Sequence, residues 1–259
     1  MEPERRRERP AERFAAGDRV DEAGFGGLRV VQGEGFRYGV DAVLLAAFAA
    51  GETGVGGSRE DARIADLGTG SGIVSFILAH KLPQAVITGI EVQEASYRRA
   101  CLGVELNGLE DRVEMVLGDI LEPGLPEAAF DAVVTNPPYF RRGASIVSTE
   151  SAKGIARHET TATLADFLQC AFRLLKPDGS LYMVHRPSRL TDILTGMRAA
   201  GLEPKELQMV VPRAGEPANI VLVRGIKGAG PELRLLPEIA VHGEGQTYTP
   251  LIEEIYERV

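Results

Sequence analysis

The sequence has no tryptophan, only two cysteines among its 259 residues, and no run of apolar residues long enough to cross a membrane. A spanning helix needs about 20 such residues, so we do not expect the chain to enter a membrane. The two thiols, Cys101 and Cys170, lack the CxxC spacing of paired ligands and predict neither a disulfide framework nor a zinc site. The first residues, MEPERRRERPAERF, contain no hydrophobic centre of a secretory signal, and we expect a cytoplasmic protein without a metal.

An excess of positive charge is also lacking, because 37 acidic residues outnumber 29 basic residues and give a formal net charge of −8. A surface that is basic overall, as in non-specific nucleic-acid binders, is therefore excluded. Any contact with nucleic acid has to come from a local group of cations. The arginines of residues 1–19 are nearly balanced by glutamates, and this segment is predicted to be a flexible tail.

From residue 60 onward, short β-branched runs alternate with stretches of helical composition. Such alternation is typical of βαβ units and a parallel sheet. It predicts an α/β fold with a Rossmann-like, mostly parallel, seven-stranded doubly wound sheet and an antiparallel pair at one edge. The predicted strands are 64–67, 86–91, 113–117, 132–135, 181–185, 206–211 and 220–227. The predicted helices are 73–81, 94–107, 164–175 and 189–200.

The regions on either side of this core are predicted to be accessory segments. Before it, a helix over 42–50 is expected to begin at Asp41 as N-cap and to end at Gly51. After it, a short strand near 233–236 and a terminal helix over 251–258 are expected. The predicted division is a tail at 1–19, a lid element and linker at 20–59, the core at 60–227, and an extension packed on the core at 228–259.

A glycine-rich loop, Asp66-Leu67-Gly68-Thr69-Gly70-Ser71-Gly72, joins the first core strand to the first core helix. Glycines at this place let the backbone approach a nucleotide-like ligand closely. The dinucleotide fingerprint requires Gly or Ala one residue later, where this chain has Ile73, and this argues against a nicotinamide or flavin cofactor. The loop instead resembles the first motif of class I methyltransferases, in which an acidic residue, here Asp66, anchors the methionine end of S-adenosylmethionine.

Three acidic residues, Asp66, Glu91 and Asp119, come at or directly after the ends of three successive predicted strands. Because the carboxyl ends of parallel strands meet at one edge of the sheet, we expect these carboxylates to lie beside the glycine loop. Glu91 is placed to accept both hydroxyls of a ribose. In the methyltransferases that the loop resembles, the residue matching Asp119 accepts from the adenine amine of the cofactor, and Ile120 follows it.

The tetrad Asn136-Pro137-Pro138-Tyr139 comes directly after the fourth predicted strand. The prolines fix φ and lack N–H groups, so the loop is rigid and its carbonyls are acceptors. The Asn136 amide oxygen and the Pro137 carbonyl can each accept one hydrogen of a substrate NH₂ group, and Tyr139 can stack on a planar substrate. The tetrad therefore predicts methylation of a planar amide or amine nitrogen, with positioning as the main catalytic effect.

The segment 140–163 is long for a connection and has no clear secondary-structure pattern, which is typical of a functional loop. Its cations outnumber its acids, Glu150 and Glu159. We expect this excess beside the acceptor pocket to contact phosphates. The cations are Arg141, Arg142, Lys153 and Arg157.

With these motifs the chain resembles the bacterial tRNA adenine-N6 methyltransferases, which modify the adenine 3′ of the anticodon in a valine tRNA. The resemblance covers nearly the whole chain, including residues 36–45, 156–159 and 181–187. The lid and residues 157–159 are more specific than the tetrad, which other methyltransferases share. It implies a class I methyltransferase fold, S-adenosylmethionine as cofactor, RNA as partner, and Arg157 and His158 facing the substrate. The implied cofactor-binding residues are Tyr38, Asp41, Asp66, Gly68, Gly70, Gly72, Glu91, Asp119, Ile120 and Asn136. We expect a monomer.

Other classes of protein share parts of this pattern. Enzymes that methylate a glutamine of release factors carry a separate helical domain before the glycine loop, whereas here a short lid and linker precede Asp66. Methylation of guanine N2 in ribosomal RNA stays open as an alternative. DNA methylation is disfavoured because no segment is large enough for a target-recognition domain, and the intact Asn136 and Tyr139 argue against a non-catalytic cofactor-binding module.

Overall fold

The computed structural model describes residues 14–33, 38–54, 57–138, 162–245 and 247–258. The described part of the chain starts with a loop that leads into a two-stranded antiparallel hairpin, which no sequence pattern predicted, and a helix follows. These elements are β1 (Arg19–Glu22), β2 (Arg29–Gln32) and α1 (Val40–Ala50).

A mostly parallel sheet forms the core. Its strands are β3 (Arg63–Leu67), β4 (Val86–Glu91), β5 (Val113–Leu117), β6 (Phe130–Thr135), β7 (Leu175–His185), β8 (Leu202–Arg213), β9 (Ile220–Lys227), β10 (Arg234–Leu235) and β11 (Ile239–His242). The order across the sheet is β10-β8-β9-β7-β6-β3-β4-β5, and β11 also pairs with β8. Within the described sheet, β9 is antiparallel to both of its neighbours, which confirms the predicted fold and its antiparallel edge pair.

Helices cover both faces of the sheet. After α1 they are α2 (Ile73–Lys81), α3 (Glu94–Asn107), α4 (Leu164–Leu174), α5 (Leu190–Ala199) and α6 (Pro250–Ile255). Along β3, Ile64 packs with α1 and α2, whereas Ala65 and Leu67 pack with α4 and α5. Both faces of the strand are thus buried, as expected for a parallel sheet between two helical layers. Among the described helices, none is long and apolar enough to cross a membrane.

Helix α1 differs from its prediction in two ways. It begins at Val40 with Gly39 as N-cap, and Asp41 lies inside the first turn, so the prediction of Asp41 as N-cap is wrong. The helix is also buried without interruption from Ala42 to Ala49 and belongs to the main core cluster. So buried a helix exposes little polar surface. The lid role predicted for residues 20–59 stays a prediction. Its predicted end at Gly51, in the left-handed conformation, is confirmed.

Strands β7 and β8 begin earlier than predicted. The turn signal at Lys176-Pro177-Asp178-Gly179 lies inside β7, where Leu175 pairs with Phe130 but the next pair is Ser180 with Ala132. The signal therefore marks an irregular register within a strand, with Asp178 at a φ of 62°. The predicted helix over 164–175 ends one residue earlier, at Leu174.

The last part of the chain packs on the outer edge of the sheet and on the N-terminal hairpin. Strands β10 and β11 both run parallel to β8. Three ring pairs form a stack in which His242 lies on Tyr248, Tyr248 on Tyr256, and Tyr256 on Phe25 of the hairpin turn, with centroid separations of 5.3, 5.4 and 5.9 Å. The predicted terminal helix is shorter than expected and ends at Ile255.

Two glycines make room for one buried ring beside the glycine loop. A Cβ atom built on Gly72 would lie 2.5 Å from Cζ of Phe76, and one built on Gly103 of α3 would lie 2.6 Å from Cε2 of the same ring. Phe76 is fully buried. The ring therefore sets the spacing between α2, which begins at the loop, and α3.

We expect Gly103→Ala to lower the free energy of unfolding by about 1 to 3 kcal/mol through overpacking. Alanine in a helix interior is intrinsically better than glycine by about 1 kcal/mol, so a net loss would isolate the steric effect. Urea unfolding of the wild type, Gly103→Ala, Phe76→Leu and the double variant measures it. With the smaller side chain at position 76, Gly103→Ala should become neutral or stabilising, and an equal loss in both backgrounds would refute the packing argument.

Candidate active site

The candidate site lies at the carboxyl edge of the sheet, where the strand order reverses beside β3. Strands β4 and β5 extend the sheet on one side of β3, whereas β6 pairs with its other side. The loops that leave β3 and β6 therefore diverge, and such a switch point is where open α/β sheets bind ligands. The glycine loop follows β3 and Asn136 follows β6, so the fold brings these two predicted elements together.

The glycine loop has a backbone that favours glycine at each of its three predicted positions. The φ angles of Gly68, Gly70 and Gly72 are 72°, 59° and 88°, in the region that other residues rarely adopt. The amides of Gly68 and Thr69 both donate to the carbonyl of Ile90, at 2.9 and 3.0 Å. A Cβ atom on Gly70 would meet no described atom within 4 Å, so this stretch of backbone faces open space.

Asp66 lies beneath the loop and is only 2% exposed. Its Oδ2 atom accepts hydrogen bonds from Thr69 Oγ1 at 2.7 Å and Ser75 Oγ at 2.8 Å. Burial raises the pKa of Asp66 to about 6, and the charge of Glu91 adds to this effect, while the two hydroxyl donors oppose it. The carboxylate thus ties the loop to the first turns of α2.

Glu91, at the end of β4, is 7% exposed and also holds the loop. Its Oε2 accepts from the amide of Gly70 at 2.9 Å, and its Oε1 accepts from the amide of Gln93 at 2.8 Å. One carboxylate therefore links the glycine loop to the start of α3. Each oxygen keeps a further acceptor position, which a pair of ribose hydroxyls requires.

Asp119 follows β5 in a setting of exposed apolar side chains. Its Oδ1 accepts from the amide of Leu121 at 3.0 Å, and the neighbouring Ile120 is buried. Leu117 pairs in register with Glu91, and Val92 follows Glu91. The side chains of Val92, Leu117 and Leu121 are 40%, 48% and 41% exposed. Apolar surface beside a carboxylate suits a flat heterocycle that carries an amine.

Ser71 gives an independent indication of a ligand in the loop. It is 6% exposed, and its hydroxyl has no hydrogen-bond partner among the described residues. Buried hydroxyls are normally paired, and an orphaned one calls for an explanation such as a ligand. It lies between two glycines with left-handed backbones, next to the open stretch at Gly70. A ligand with a polar group at this point would satisfy it.

Asn136 is held by contacts from two other elements. The hydroxyl of the preceding Thr135 donates to the carbonyl of Leu67 at 3.0 Å, so the ends of β6 and β3 are joined. The Asn136 Nδ2 atom donates to Oδ2 of Asp41 at 3.2 Å, across 95 positions of sequence. Pro137 is buried, whereas Pro138 is exposed.

Tyr38, predicted with Asp41 to border a cofactor, lies between β2 and α1. Its amide donates to Oε1 of Gln32 at 3.1 Å, and its side chain packs against the main core cluster. Burial raises the pKa of Tyr38, as does the nearby charge of Asp21. Of Tyr38 and Asp41, it is Asp41 that the structure shows in direct contact with Asn136.

Not all of the predicted site residues fall within the described ranges. The fold gathers at one edge of the sheet the acids and glycines predicted to bind a cofactor, together with Asn136 and Pro137. The predicted substrate-facing residues lie outside the described residues and stay predictions. They are Tyr139, Arg141, Arg142, Lys153, Arg157 and His158.

Several residues of the site had no signal in the sequence. Thr69 and Ser75 donate hydrogen bonds to Asp66 from three and nine positions further along the chain, and no periodic pattern marks this spacing. His185 ends β7 next to this edge, and burial lowers its pKa to about 4, with Arg189 adding to the effect. Its Nδ1 accepts from the amide of Arg186 at 2.7 Å, a structural contact.

Within the described ranges, no group of three or more His, Cys, Asp or Glu could hold a metal.

Comparison of the sequence with known proteins gives consistent matches. Residues 44–196 match the family model described as the methyltransferase small domain. A tRNA1(Val) (adenine(37)-N6)-methyltransferase of Bacteroides thetaiotaomicron is 31% identical over 227 residues, which is 85% of this chain and 90% of the relative. A protein of the same name from Aeromonas salmonicida is 29% identical, over 82% of this chain and 85% of the relative.

Solved structures agree with these matches. A protein of Agrobacterium tumefaciens, described as a predicted O-methyltransferase, is similar with a TM-score of 0.65 and 26% identity, over 84% of this chain and 95% of that protein. Geranyl diphosphate methyltransferase, solved with sinefungin, has a TM-score of 0.53 over 71% of this chain and 77% of its own. At 14% identity the second match bears on the fold alone.

The raised pKa of Asp66 predicts that this carboxyl group makes stability depend on pH. Folding raises the pKa of Asp66 from 3.8 to about 6. The stability that the protonated form contributes is therefore fully present below pH 3.8 and is lost as the pH rises through about 6. The loss amounts to about 3 kcal/mol. In urea unfolding between pH 4 and 8, the wild type should lose stability relative to Asp66→Asn within this window. Asp61→Asn, at an exposed site, is the control, and parallel curves for wild type and Asp66→Asn would rule out the effect.

Proposed function

The chain belongs to the methyltransferase small domain family, among the tRNA1(Val) (adenine(37)-N6)-methyltransferases, and on this premise we propose that it methylates N6 of an adenine in tRNA with S-adenosylmethionine as donor. The observation that carries the proposal is the position of Asn136, fixed at the end of β6 across the switch point from the glycine loop. The reaction needs a group that accepts hydrogen bonds from the substrate NH₂, placed next to the loop that binds the cofactor.

S-adenosylmethionine, when bound, supplies a methyl group on a positively charged sulfur that is already activated for transfer. We assign its ribose to the free acceptor positions of Glu91, and its adenine to Asp119, Ile120 and the exposed apolar side chains beside them. Its methionine end is assigned to the glycine loop over Asp66, where the orphaned Ser71 hydroxyl and the open backbone at Gly70 support a ligand. Tyr38 and Asp41 border this region in the proposal.

The hydrogen-bond acceptors for the substrate amine are the side-chain oxygen of Asn136 and the backbone carbonyl of Pro137. Each oxygen accepts one hydrogen of the adenine amine, which holds the nitrogen with its lone pair directed at the methyl group. With the cofactor bound, the N–C bond would form as the bond between the methyl group and sulfur breaks. S-adenosylhomocysteine would leave with the bonding electron pair, and the methylated amine would release one proton to water. Because the loop is rigid and its dipoles are already oriented, little reorganisation is needed during the reaction. Tyr139 is proposed to stack on the base.

A base in an RNA loop suits such a pocket. It is already partly unstacked, so it can be moved into the site at little cost, and proteins read RNA preferentially at such places. The overall charge of −8 requires that phosphates be bound locally. We assign this role to Arg141, Arg142, Lys153 and Arg157, with His158 facing the substrate. The exposed Arg186, which follows β7 at the same sheet edge, adds a further cation there.

The substrate proposal is tested by offering the purified protein radiolabelled S-adenosylmethionine with total tRNA, ribosomal RNA, duplex DNA and a release factor in parallel. We expect label in tRNA, released as N6-methyladenosine after digestion. Label in ribosomal RNA as N2-methylguanosine, or in a glutamine of the release factor, would overturn the substrate assignment.

Asn136→Ala separates binding from chemistry. Loss of one preorganised acceptor should lower kcat on tRNA by roughly 100-fold or more. The dissociation constant for S-adenosylhomocysteine, measured by calorimetry, should stay near the wild-type value, because the main cofactor contacts are assigned elsewhere. Asn219→Ala, at another asparagine of the same sheet edge, is the matched control. Parental kcat in the Asn136 variant at saturating tRNA would show that the acceptor role is wrong.

A further inference from the structure

The carboxylate of Asp41 lies between two hydrogen-bond donors. Its Oδ1 accepts from the amide of Ala42 at 3.0 Å, and its Oδ2 accepts from Nδ2 of Asn136 at 3.2 Å. The first bond belongs to the start of α1, and the second reaches the proposed acceptor at the end of β6. One side chain thus connects a buried helix to the reacting end of the site.

The direction of the second bond decides which end of the Asn136 amide faces Asp41 and which end faces away from it. The oxygen and nitrogen ends of an asparagine are nearly equal in shape, but one accepts and the other donates. A carboxylate has only acceptor atoms, so the nitrogen faces Asp41 and the oxygen faces away from it. Were the amide reversed, its NH₂ group would face the substrate amine, and two donors would oppose each other.

We propose that Asp41 is a positioning residue that holds the Asn136 amide with its oxygen toward the substrate amine, an inference that rests on the proposed function of Asn136. The carboxylate also polarises the amide, because hydrogen bonds in a chain strengthen one another. A negative charge on the nitrogen side makes the Asn136 oxygen a better acceptor. Asp41 therefore acts through Asn136 and need not touch the substrate.

The place of Asp41 is set by rigid surroundings. Helix α1 is buried over eight consecutive residues after Asp41, from Ala42 to Ala49, which prevents it from shifting along the sheet. A Cβ atom on Gly39 would lie 2.5 Å from Oδ1 of Asp41, so the carboxylate is packed directly over the glycine backbone. A negative charge in the first turn is also stabilised by the helix dipole. The carboxylate is thus held in place by the fold itself.

A double-mutant cycle distinguishes this role from cofactor binding and from a merely structural role. Asp41→Asn, Asn136→Ala and the double variant are assayed for kcat and KM with tRNA, and for the dissociation constant of S-adenosylhomocysteine. If Asp41 acts through Asn136, Asp41→Asn lowers kcat roughly 10-fold in the wild type but less than about 2-fold in the Asn136→Ala background. KM and the dissociation constant should change less than about 2-fold in both backgrounds. Asp192→Asn, which removes the same charge from the first turn of α5, is the matched control.

A reciprocal exchange gives a second test that does not depend on the stability of one variant. Asn136→Asp alone places two carboxylates side by side and should be nearly inactive. Adding Asp41→Asn restores a donor on one side and leaves an acceptor facing the substrate, so kcat should recover roughly 10-fold or more over Asn136→Asp. Relief of charge repulsion alone would raise the amount of folded enzyme, so the recovery is counted only in kcat per folded molecule at saturating tRNA.

The outcomes separate the inference from the proposed function. An equal loss of kcat from Asp41→Asn in both backgrounds, a matching loss of cofactor affinity, or no recovery in the exchange would overturn the positioning role while Asn136 keeps its own. Parental kcat in Asn136→Ala would overturn the acceptor role, and the positioning role with it.

Discussion

Strand β3 is hydrogen bonded along both edges, to β4 and to β6, and the groups of the candidate site are arranged around its carboxyl end. The glycine loop leaves this end, Glu91 at the end of β4 holds the loop from one side, and Thr135 at the end of β6 donates to the carbonyl of Leu67 from the other. Because the register of three buried parallel strands is fixed by packing on both faces, these contacts are set by the core.

The buried acids give the loop its shape at an electrostatic cost that hydrogen bonds offset. Asp66 is satisfied by two hydroxyls, and Glu91 by two backbone amides. Burial nevertheless raises the pKa of Asp66, because hydroxyl donors compensate only part of the lost hydration. A site built in this way holds negative charge close to where a cationic donor is proposed to bind, and the orphaned Ser71 hydroxyl lies in the same loop.

The parallel core was predictable because alternation, glycine caps and β-branched runs are local signals, and helices α2 and α3 have the bounds that these signals predicted. Signals that depend on tertiary context were misread. The Pro-Asp-Gly turn chemistry near Asp178 lies within β7, because β6 pairs with Leu175 before this segment and with Ser180 after it. The contact between Asp41 and Asn136 has no local signature, since a hydrogen bond across 95 positions is created by packing alone. Strands β1 and β2 were too short to have a recognisable alternation.

Helix α1 precedes in the chain nearly everything that buries it. During synthesis its apolar side chains emerge well before β6 and β7, against which it packs, and Asp41 emerges 95 residues ahead of Asn136. A ribosome adds about 5 to 20 residues per second, so the face of the helix that packs on β6 and β7 stays uncovered for several seconds. The nascent chain thus has a window in which α1 is a site for chaperone binding or misassembly, and the active site can form only after that window closes.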